Sequence, residues 1–130
     1  MTDPISDMLI RIKNAQAVKK DSASFGYSKL KMEIAKILEK QGFISEVERR
    51  GKKQRKLIEV KLLYTPEGTS KISGVKRISK PSRRVYAGFR DVHSVKNGLG
   101  LAVYSTTKGI LTDKEARRGK VGGENLFEIW

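Results

Sequence analysis

Positive charge is spread along the whole chain, and this feature restricts the possible folds and partners more than any other. The 130 residues include 28 Lys and Arg against 14 Asp and Glu, a net charge of +14. Residues 1–65 carry 15 basic and 8 acidic side chains, and residues 66–130 carry 13 and 6, so each half contributes +7. The excess therefore belongs to the folded body. A compact body with this charge repels itself unless a polyanion neutralises it, which makes a nucleic acid the first candidate partner.

Length and residue types exclude several other classes. A chain of 130 residues is enough for one ordinary domain or for two small modules. It contains no cysteine and one histidine, His93, which excludes disulfides, thiolate chemistry and a metal cluster of His and Cys. No apolar run approaches the roughly 20 residues that span a bilayer, and the start of the chain lacks a signal-peptide pattern. We therefore expect a cytoplasmic protein with no membrane partner, no cofactor and no metal site.

The first half begins with an amphipathic helix, predicted from the Asp3 cap to about Val18. Its apolar positions recur at helical spacing and are Ile5, Met8, Leu9 and Ile12. The other side carries a polar stripe that consists of Asp7, Arg11 and Asn14, with Lys13 next to it. The pattern leaves two interpretations of the stripe open, a solvated face and a binding face.

A second helix and a strand hairpin should follow. Ser28 is a favourable cap for the helix, and Gly42 is its predicted end. Lys29 and Lys31 lie in the first turn, where cations oppose the helix dipole unless an anion binds there. Alternating apolar residues predict two strands, in FISEVE and KLIEVKLLY. Between them, residues 49–56 hold six cations in eight residues and form either a solubilising tip or a phosphate contact.

The turn-rich segment TPEGTS, residues 65–70, is the predicted linker between two modules, residues 1–64 and 71–130. The second module begins with a run of seven cations without an acid, and Tyr86 lies within it. An aromatic side chain there can stack on a base, although half-buried strand tyrosines are equally common. A buried strand should follow through Leu101 and Val103, then a turn, and then a short helix that starts at a capping box, Thr112 to Glu115. The last segment, VGGENLFEIW, predicts a strand.

The turn before the short helix contains a Ser-x-x-Lys spacing, which serine acyltransferases use to activate a nucleophile. Such an enzyme needs Ser105 at the start of a helix, with Lys108 one turn later. Gly109 follows the lysine at once, and the helix signal begins only at Thr112. We therefore predict no catalytic residues, and a hydrolase that uses Ser105 stays the alternative.

The same turn suits RNA. Ser105, Thr106 and Thr107 are interpreted alike, as hydrogen-bonding groups for ribose or phosphate. Glycines at 109, 122 and 123 would let the backbone approach a ligand closely. No helix-turn-helix, zinc-finger or basic-zipper pattern occurs, and short polar loops suit an irregular RNA groove better than a uniform duplex.

Several segments resemble, in order and spacing, the eighth protein family of the bacterial small ribosomal subunit. They are DPISDMLIRIKNAQ, SKLK, GF, KRISKP, RVY, NGLG, STTKGILTDKEARR and GGE. The resemblance implies an α+β fold of two small α/β modules, an N-terminal αβαββ module and a C-terminal module that is mostly β with a short helix. It also implies binding to the central domain of small-subunit ribosomal RNA, a role in assembly beside neighbouring ribosomal proteins and, in some bacteria, repression of ribosomal-protein messenger RNA.

The resemblance places the main RNA contact in the C-terminal module. The matching positions are Ser105, Thr106, Thr107, Lys108, Gly109, Tyr86, Gly122, Gly123 and Glu124. Further contacts in the N-terminal module match Arg11, Lys13, Asn14, Lys29 and Lys31. The chain departs from the family pattern at Thr107, Arg83 and His93, where a serine, an apolar residue and a proline are usual.

Overall fold

The chain forms two compact units. The computed structural model describes residues 3–51 and 55–130. The N-terminal unit is Pro4–Ile72, and the C-terminal unit is Ser73–Trp130 together with Asp3. The predicted linker, residues 65–70, lies inside the N-terminal unit, where Thr65 N donates to the Thr69 carbonyl at 2.8 Å. The domain boundaries at these residues stay a prediction.

The N-terminal unit has the predicted αβαββ order. Its elements are α1 (Pro4–Ala17), β1 (Ser22–Gly26), α2 (Lys29–Lys40), β2 (Ile44–Arg50) and β3 (Leu57–Leu62). The strands form an antiparallel sheet in the order β1-β3-β2. Ser28 caps α2 as predicted, because its Oγ accepts a hydrogen bond from Lys31 N at 3.1 Å. Gly42 follows the end of α2 with φ +83°, a conformation that favours glycine.

Both helices and the sheet contribute to the core of this unit. The largest fully buried side chains are Met8, Ile12, Phe25, Ile34, Leu38, Ile44, Ile58 and Val60. The buried positions of β3 alternate as the sequence predicts, with Ile58, Val60 and Leu62 on one face. This core fixes α1 and the start of α2, which carry the predicted contacts of the unit.

The C-terminal unit is mostly β, with one short helix. Its elements are β4 (Val75–Arg77), β5 (Tyr86–Ala87), β6 (Leu101–Thr106), β7 (Gly109–Thr112), α3 (Asp113–Arg118) and β8 (Gly123–Ile129), with short 3-10 turns at Phe89–Asp91 and Lys96–Gly98. The antiparallel sheet has the order β4-β8-β6-β7, and β5 also pairs with β8. These features confirm the predicted α+β class.

The capping box is confirmed, but the segment before it differs from the expectation. Thr112 Oγ1 accepts from Glu115 N at 3.2 Å, and Thr112 N donates to Glu115 Oε1 at 3.1 Å. The predicted turn between a buried strand and this helix is instead the loop of a β-hairpin, because β7 intervenes. Gly109, at φ +107°, begins the returning strand.

Candidate nucleic-acid interface

The tip of the β6–β7 hairpin is held by its own hydrogen bonds. Thr106 and Gly109 face each other as the last pair of the two strands. Thr106 Oγ1 donates to the Gly109 carbonyl at 2.8 Å and accepts from Lys108 N at 3.1 Å. The tip therefore has a fixed shape before any ligand binds, and binding would cost little ordering entropy.

The three neighbouring hydroxyl residues of the tip have different surroundings. Thr106 is half-buried, and both of its hydrogen bonds lie within the tip. Ser105 is half-buried and Thr107 is exposed, and neither hydroxyl has a hydrogen-bond partner in the part of the chain that the structure describes. Lys108 is also exposed. Ser105, Thr107 and Lys108 are thus available to a ligand. Thr106 maintains the turn, and its contact with RNA stays a prediction.

Three strands place Ser105 and Tyr86 on one face of the sheet. Glu124 on β8 pairs with Ser105 on β6 on one side and with Tyr86 on β5 on the other. Directly paired residues project to the same face, so Ser105 and Tyr86 are roughly 10 Å apart, two strand spacings. Tyr86 is 70% exposed, which leaves its ring accessible for stacking. We call the surface formed by Tyr86, Ser105, Thr107, Lys108 and Glu124 the hairpin-tip face.

Glu124 would oppose a phosphate if its charge were uncompensated. Its Oε2 lies 3.1 Å from Nη1 of Arg84, and the Glu124 side chain is only 15% exposed. The arginine therefore offsets the negative charge at the centre of the hairpin-tip face. The pair leaves the face neutral at its centre, with Lys108 positive at the tip.

Gly122 and Gly123 are required by packing inside the unit. A Cβ on Gly123 would lie 2.2 Å from the Ser105 carbonyl oxygen, and one on Gly122 would lie 2.3 Å from the Ala87 carbonyl oxygen. Neighbouring backbone therefore occupies the space that the sequence analysis assigned to a ligand. Gly109 is different, because a Cβ there would meet no atom within 4 Å. A close ligand approach at these glycines stays a prediction.

A buried polar group supports the hairpin-tip face from below. Tyr104 is fully buried, and its hydroxyl accepts from Asn125 Nδ2 at 3.3 Å. Burial, followed by the negative charge of Asp113, raises the pKa of the Tyr104 phenol above its ordinary value. Asp113 accepts hydrogen bonds from Ala102 N and Arg117 Nη1, both at 3.2 Å. These contacts tie β6, β8 and α3 together, and Tyr104 is the residue next to Ser105 in β6.

The Ser-x-x-Lys spacing has no helical setting. Ser105 lies in β6 and Lys108 in the hairpin loop, whereas α3 begins at Asp113. In the enzymes that use this spacing, the serine and the lysine lie one turn apart on the same face of a helix. The arrangement that would place the lysine beside a serine nucleophile is therefore not formed.

The polar stripe of α1 borders a groove in the N-terminal unit. The groove has a volume of about 530 Å³ and is lined by Arg11, Asn14, Ala15, Val18, Lys20, Ser22, Ala23 and Ser24. Arg11 Nε lies 3.0 Å from Asp7 Oδ2, and both side chains are about half exposed. Exposed pairs of this kind contribute only about 0–1 kcal/mol, so Arg11 can exchange its partner for a phosphate at low cost. Lys13 is exposed and does not line the groove.

The start of α2 combines cations with aromatic rings. Lys29 is exposed, and Lys31 is half-buried with its Nζ 6.0 Å from the centre of the Phe25 ring. The Tyr27 ring lies 5.6 Å from the guanidinium of Arg49 and 5.8 Å from the Lys56 Nζ.

The contacts of the Tyr27 ring with cations were not predicted, although an aromatic residue just before the Ser28 cap and its two lysines is a usable signal in the sequence. The cations of Arg49 and Lys56 belong to the predicted basic tip at residues 49–56. Residues 52–54 of this tip lie outside the described residues. The contacts of Tyr27 therefore come from the two ends of the basic segment.

Among the helices described within residues 3–51 and 55–130, none is long and apolar enough to cross a membrane.

Comparison with known proteins gives one consistent result. Residues 3–130 match the family described as Ribosomal protein S8. A relative from Thermodesulfovibrio yellowstonii, named small ribosomal subunit protein uS8, is 48% identical over 130 residues, which cover all of this chain and 99% of the relative. A relative of the same name from Persephonella marina is 47% identical over 135 residues, with the same coverage.

Proposed function

The chain belongs to the ribosomal protein S8 family, and we propose that it binds the central domain of small-subunit ribosomal RNA through the hairpin-tip face and supports assembly of the small subunit. The observation that carries the proposal is the pre-formed hairpin tip, which keeps Ser105, Thr107 and Lys108 available on the same sheet as the exposed Tyr86. A rigid set of short polar groups beside an aromatic ring is suited to an irregular RNA surface.

Each group on the hairpin-tip face has a chemical role in this proposal. The hydroxyls of Ser105 and Thr107 can donate to phosphate oxygens and exchange hydrogen bonds with ribose 2′-hydroxyls. The Tyr86 ring offers a surface on which an unpaired base can stack. Lys108 supplies the charge for a phosphate, and Glu124, compensated by Arg84, can accept from a 2′-hydroxyl.

The N-terminal unit contributes further contacts that are mainly electrostatic. We assign these to Arg11, Lys13, Asn14, Lys29 and Lys31. Four of the five are cations, and Arg11, Lys13 and Lys29 are exposed. Long cations hold a phosphate backbone without selecting a base, so they add affinity more than specificity. The groove beside Arg11 and Asn14 gives the phosphates a defined position.

A second RNA follows from the same chemistry. A segment of ribosomal-protein messenger RNA that reproduces the shape of the ribosomal site would bind the same hairpin-tip face, as the family resemblance implies. The two RNAs should then compete for the protein. Simultaneous binding of both would contradict a shared surface.

The proposal is tested by two substitutions at the tip, measured with a central-domain transcript and with a scrambled transcript of the same length. Ser105→Ala should weaken binding to the central domain alone by about 1–3 kcal/mol, because the RNA group it meets is left unpaired. Lys108→Ala should weaken binding to both transcripts, as expected for a phosphate contact.

Ser94→Ala is the matched control, because Ser94 is an exposed serine of the same unit outside the hairpin-tip face. It should leave both affinities unchanged. If Ser105→Ala behaves like this control, the proposed role of the tip is wrong. Labelling of Ser105 by a serine-directed acylating reagent would instead support the hydrolase alternative.

A further inference from the structure

A second basic surface of the C-terminal unit lies outside the hairpin-tip face. It is a groove of about 300 Å³, lined by Lys76, Arg77, Ile78, Lys80, Arg83 and Val85. Four of the six lining residues are cationic, and Ile78 and Val85 supply the apolar remainder. No residue of the groove belongs to the RNA contacts proposed for the hairpin-tip face or for the N-terminal unit.

The cations of this groove fall into two kinds. Arg77 makes its contacts within the unit, and its side chain is only 11% exposed. Its Nε and Nη2 donate to the Asp3 carboxylate at 3.1 and 3.2 Å, and its Nη1 donates to the Leu126 carbonyl. Lys76, Lys80 and Arg83 are exposed, and none has an acidic partner among residues 3–51 and 55–130. Glu128 lies directly opposite Lys76 in the β4–β8 pairing and offsets part of its charge, although the two form no ion pair. Lys80 and Arg83 therefore carry most of the uncompensated positive charge of the groove.

The backbone beneath these cations is fixed. Lys80 and Arg83 exchange two backbone hydrogen bonds, at 2.8 and 3.0 Å, around a turn that contains Pro81. The hydroxyl of the fully buried Ser79 accepts from Val85 N at 2.9 Å and lies 3.2 Å from the Val85 carbonyl oxygen. The two ends of the turn are thus clamped together. An anion would meet a groove whose backbone needs no rearrangement, which lowers the cost of binding.

Two consecutive arginines separate this groove from the hairpin-tip face. Arg83 lines the groove, whereas Arg84 pairs with Glu124 on the hairpin-tip face. We propose that the groove binds the phosphodiester backbone of a second RNA segment, distinct from the segment held by the hairpin tip. The groove inference depends on the proposed function in one respect only, namely that the partner is RNA.

The lining favours an RNA backbone over other ligands. No aromatic side chain lines the groove, so base stacking would not contribute, and the exposed cations Lys80 and Arg83 match phosphate charge. The groove is too small for a folded domain. An acidic peptide is also an anionic chain and could compete for the same cations, so the experiment includes poly-glutamate as a ligand.

The test uses the full-length protein and a transcript of the complete small-subunit ribosomal RNA. The groove variant Lys80→Gln/Arg83→Gln is compared with Lys114→Gln/Arg118→Gln, which removes the same charge from exposed positions of α3. Affinity is measured over a range of KCl concentrations, and a scrambled transcript and a poly-glutamate peptide serve as further ligands. Thermal midpoints establish that both variants are folded, and Lys76→Gln is a single-charge variant that leaves the turn intact.

If the proposal is right, the plot of log affinity against log salt is less steep for the groove variant than for the α3 variant, by roughly 1.5 in slope. Lys76→Gln removes one charge and should reduce the steepness by roughly half of that amount. Preference for ribosomal over scrambled RNA should persist, because the hairpin-tip face is unchanged. Equal slopes for the groove and α3 variants would overturn the proposal. It would also be overturned if the groove variant lost affinity for poly-glutamate while its salt dependence of RNA binding stayed the same as in the wild type. If the wild-type protein itself shows no preference for ribosomal over scrambled RNA, the result would instead count against the proposed function.

Discussion

Ser105 and Thr106 are adjacent hydroxyl residues that differ in their hydrogen bonds. The sequence treats them alike, since both are small, polar and next to a glycine turn. Thr106 Oγ1 makes two hydrogen bonds within the tip, whereas the Ser105 hydroxyl makes none with the described residues. This difference depends on the exact end of β6, which residue types alone do not fix.

The hydrogen bonds of Thr106 lead to a stability prediction. Thr106→Ala should lower the free energy of unfolding by about 1–2 kcal/mol, because two hydrogen bonds of the turn are lost. Ser105→Ala should change it by less than about 0.5 kcal/mol. Chemical denaturation of the two variants measures both values, and Thr106→Ser, which keeps the hydroxyl, should recover most of the loss. Equal stability of Thr106→Ala and the wild type would show that the turn does not need this hydroxyl.

Tyr104 makes stability depend on alkaline pH. Burial and the charge of Asp113 raise its pKa in the folded protein, so the phenol of the unfolded chain ionises first. The unfolded state then binds fewer protons than the folded state, and stability falls as pH rises above about 10, the ordinary tyrosine pKa. Tyr104→Phe removes this contribution, so its stability should fall less steeply from about pH 9 to 11. Parallel curves for variant and wild type would contradict the assigned shift.

At the scale of elements, the strand pairing of β8 requires glycine. Gly123→Ala should destabilise the protein by about 1–3 kcal/mol, because the new Cβ would overlap the Ser105 carbonyl and separate β8 from β6. Gly88→Ala is the matched control: its φ is −69° and the nearest atom to a Cβ is 3.8 Å away. Thermal unfolding should show a large loss for the first variant and almost none for the second. If both are equally stable, β8 can move away from β6 without cost.

The sequence predicted some elements better than others, for physical reasons. Helix periodicity, the Ser28 cap and the Thr112 capping box are local signals, and all three are confirmed. Strand β1 was not found from the residue pattern, because five residues rich in Ser and Gly resemble a loop. Strand β7 was missed because its loop, Thr107–Lys108, lacks the Asn-Gly or Asp-Gly signature of two-residue hairpins.

At the scale of the whole molecule, composition predicted the positive charge of both halves but not which cations stay available. The structure assigns Arg77 to Asp3 and Arg84 to Glu124, pairs that are 74 and 40 residues apart in the chain. Such pairings depend on the tertiary fold and leave no local pattern. The pairing of Arg117 with Asp113 is one helical turn long and could be inferred from spacing. The candidate binding surfaces therefore depend partly on which cations the fold pairs with acidic side chains and so makes unavailable to a ligand.

The central claim, that the hairpin-tip face meets ribosomal RNA, is tested most directly by a crosslink from position 107. The chain has no cysteine, so Thr107→Cys provides a unique attachment point for a short photo-crosslinker, and Ser94→Cys provides the control in the same unit. With a transcript of the complete small-subunit ribosomal RNA, the Thr107→Cys protein should crosslink to one discrete segment of the central domain, and unlabelled scrambled RNA should not compete. Yields no greater than those of the Ser94→Cys protein, or crosslinks dispersed over the transcript, would contradict the claim.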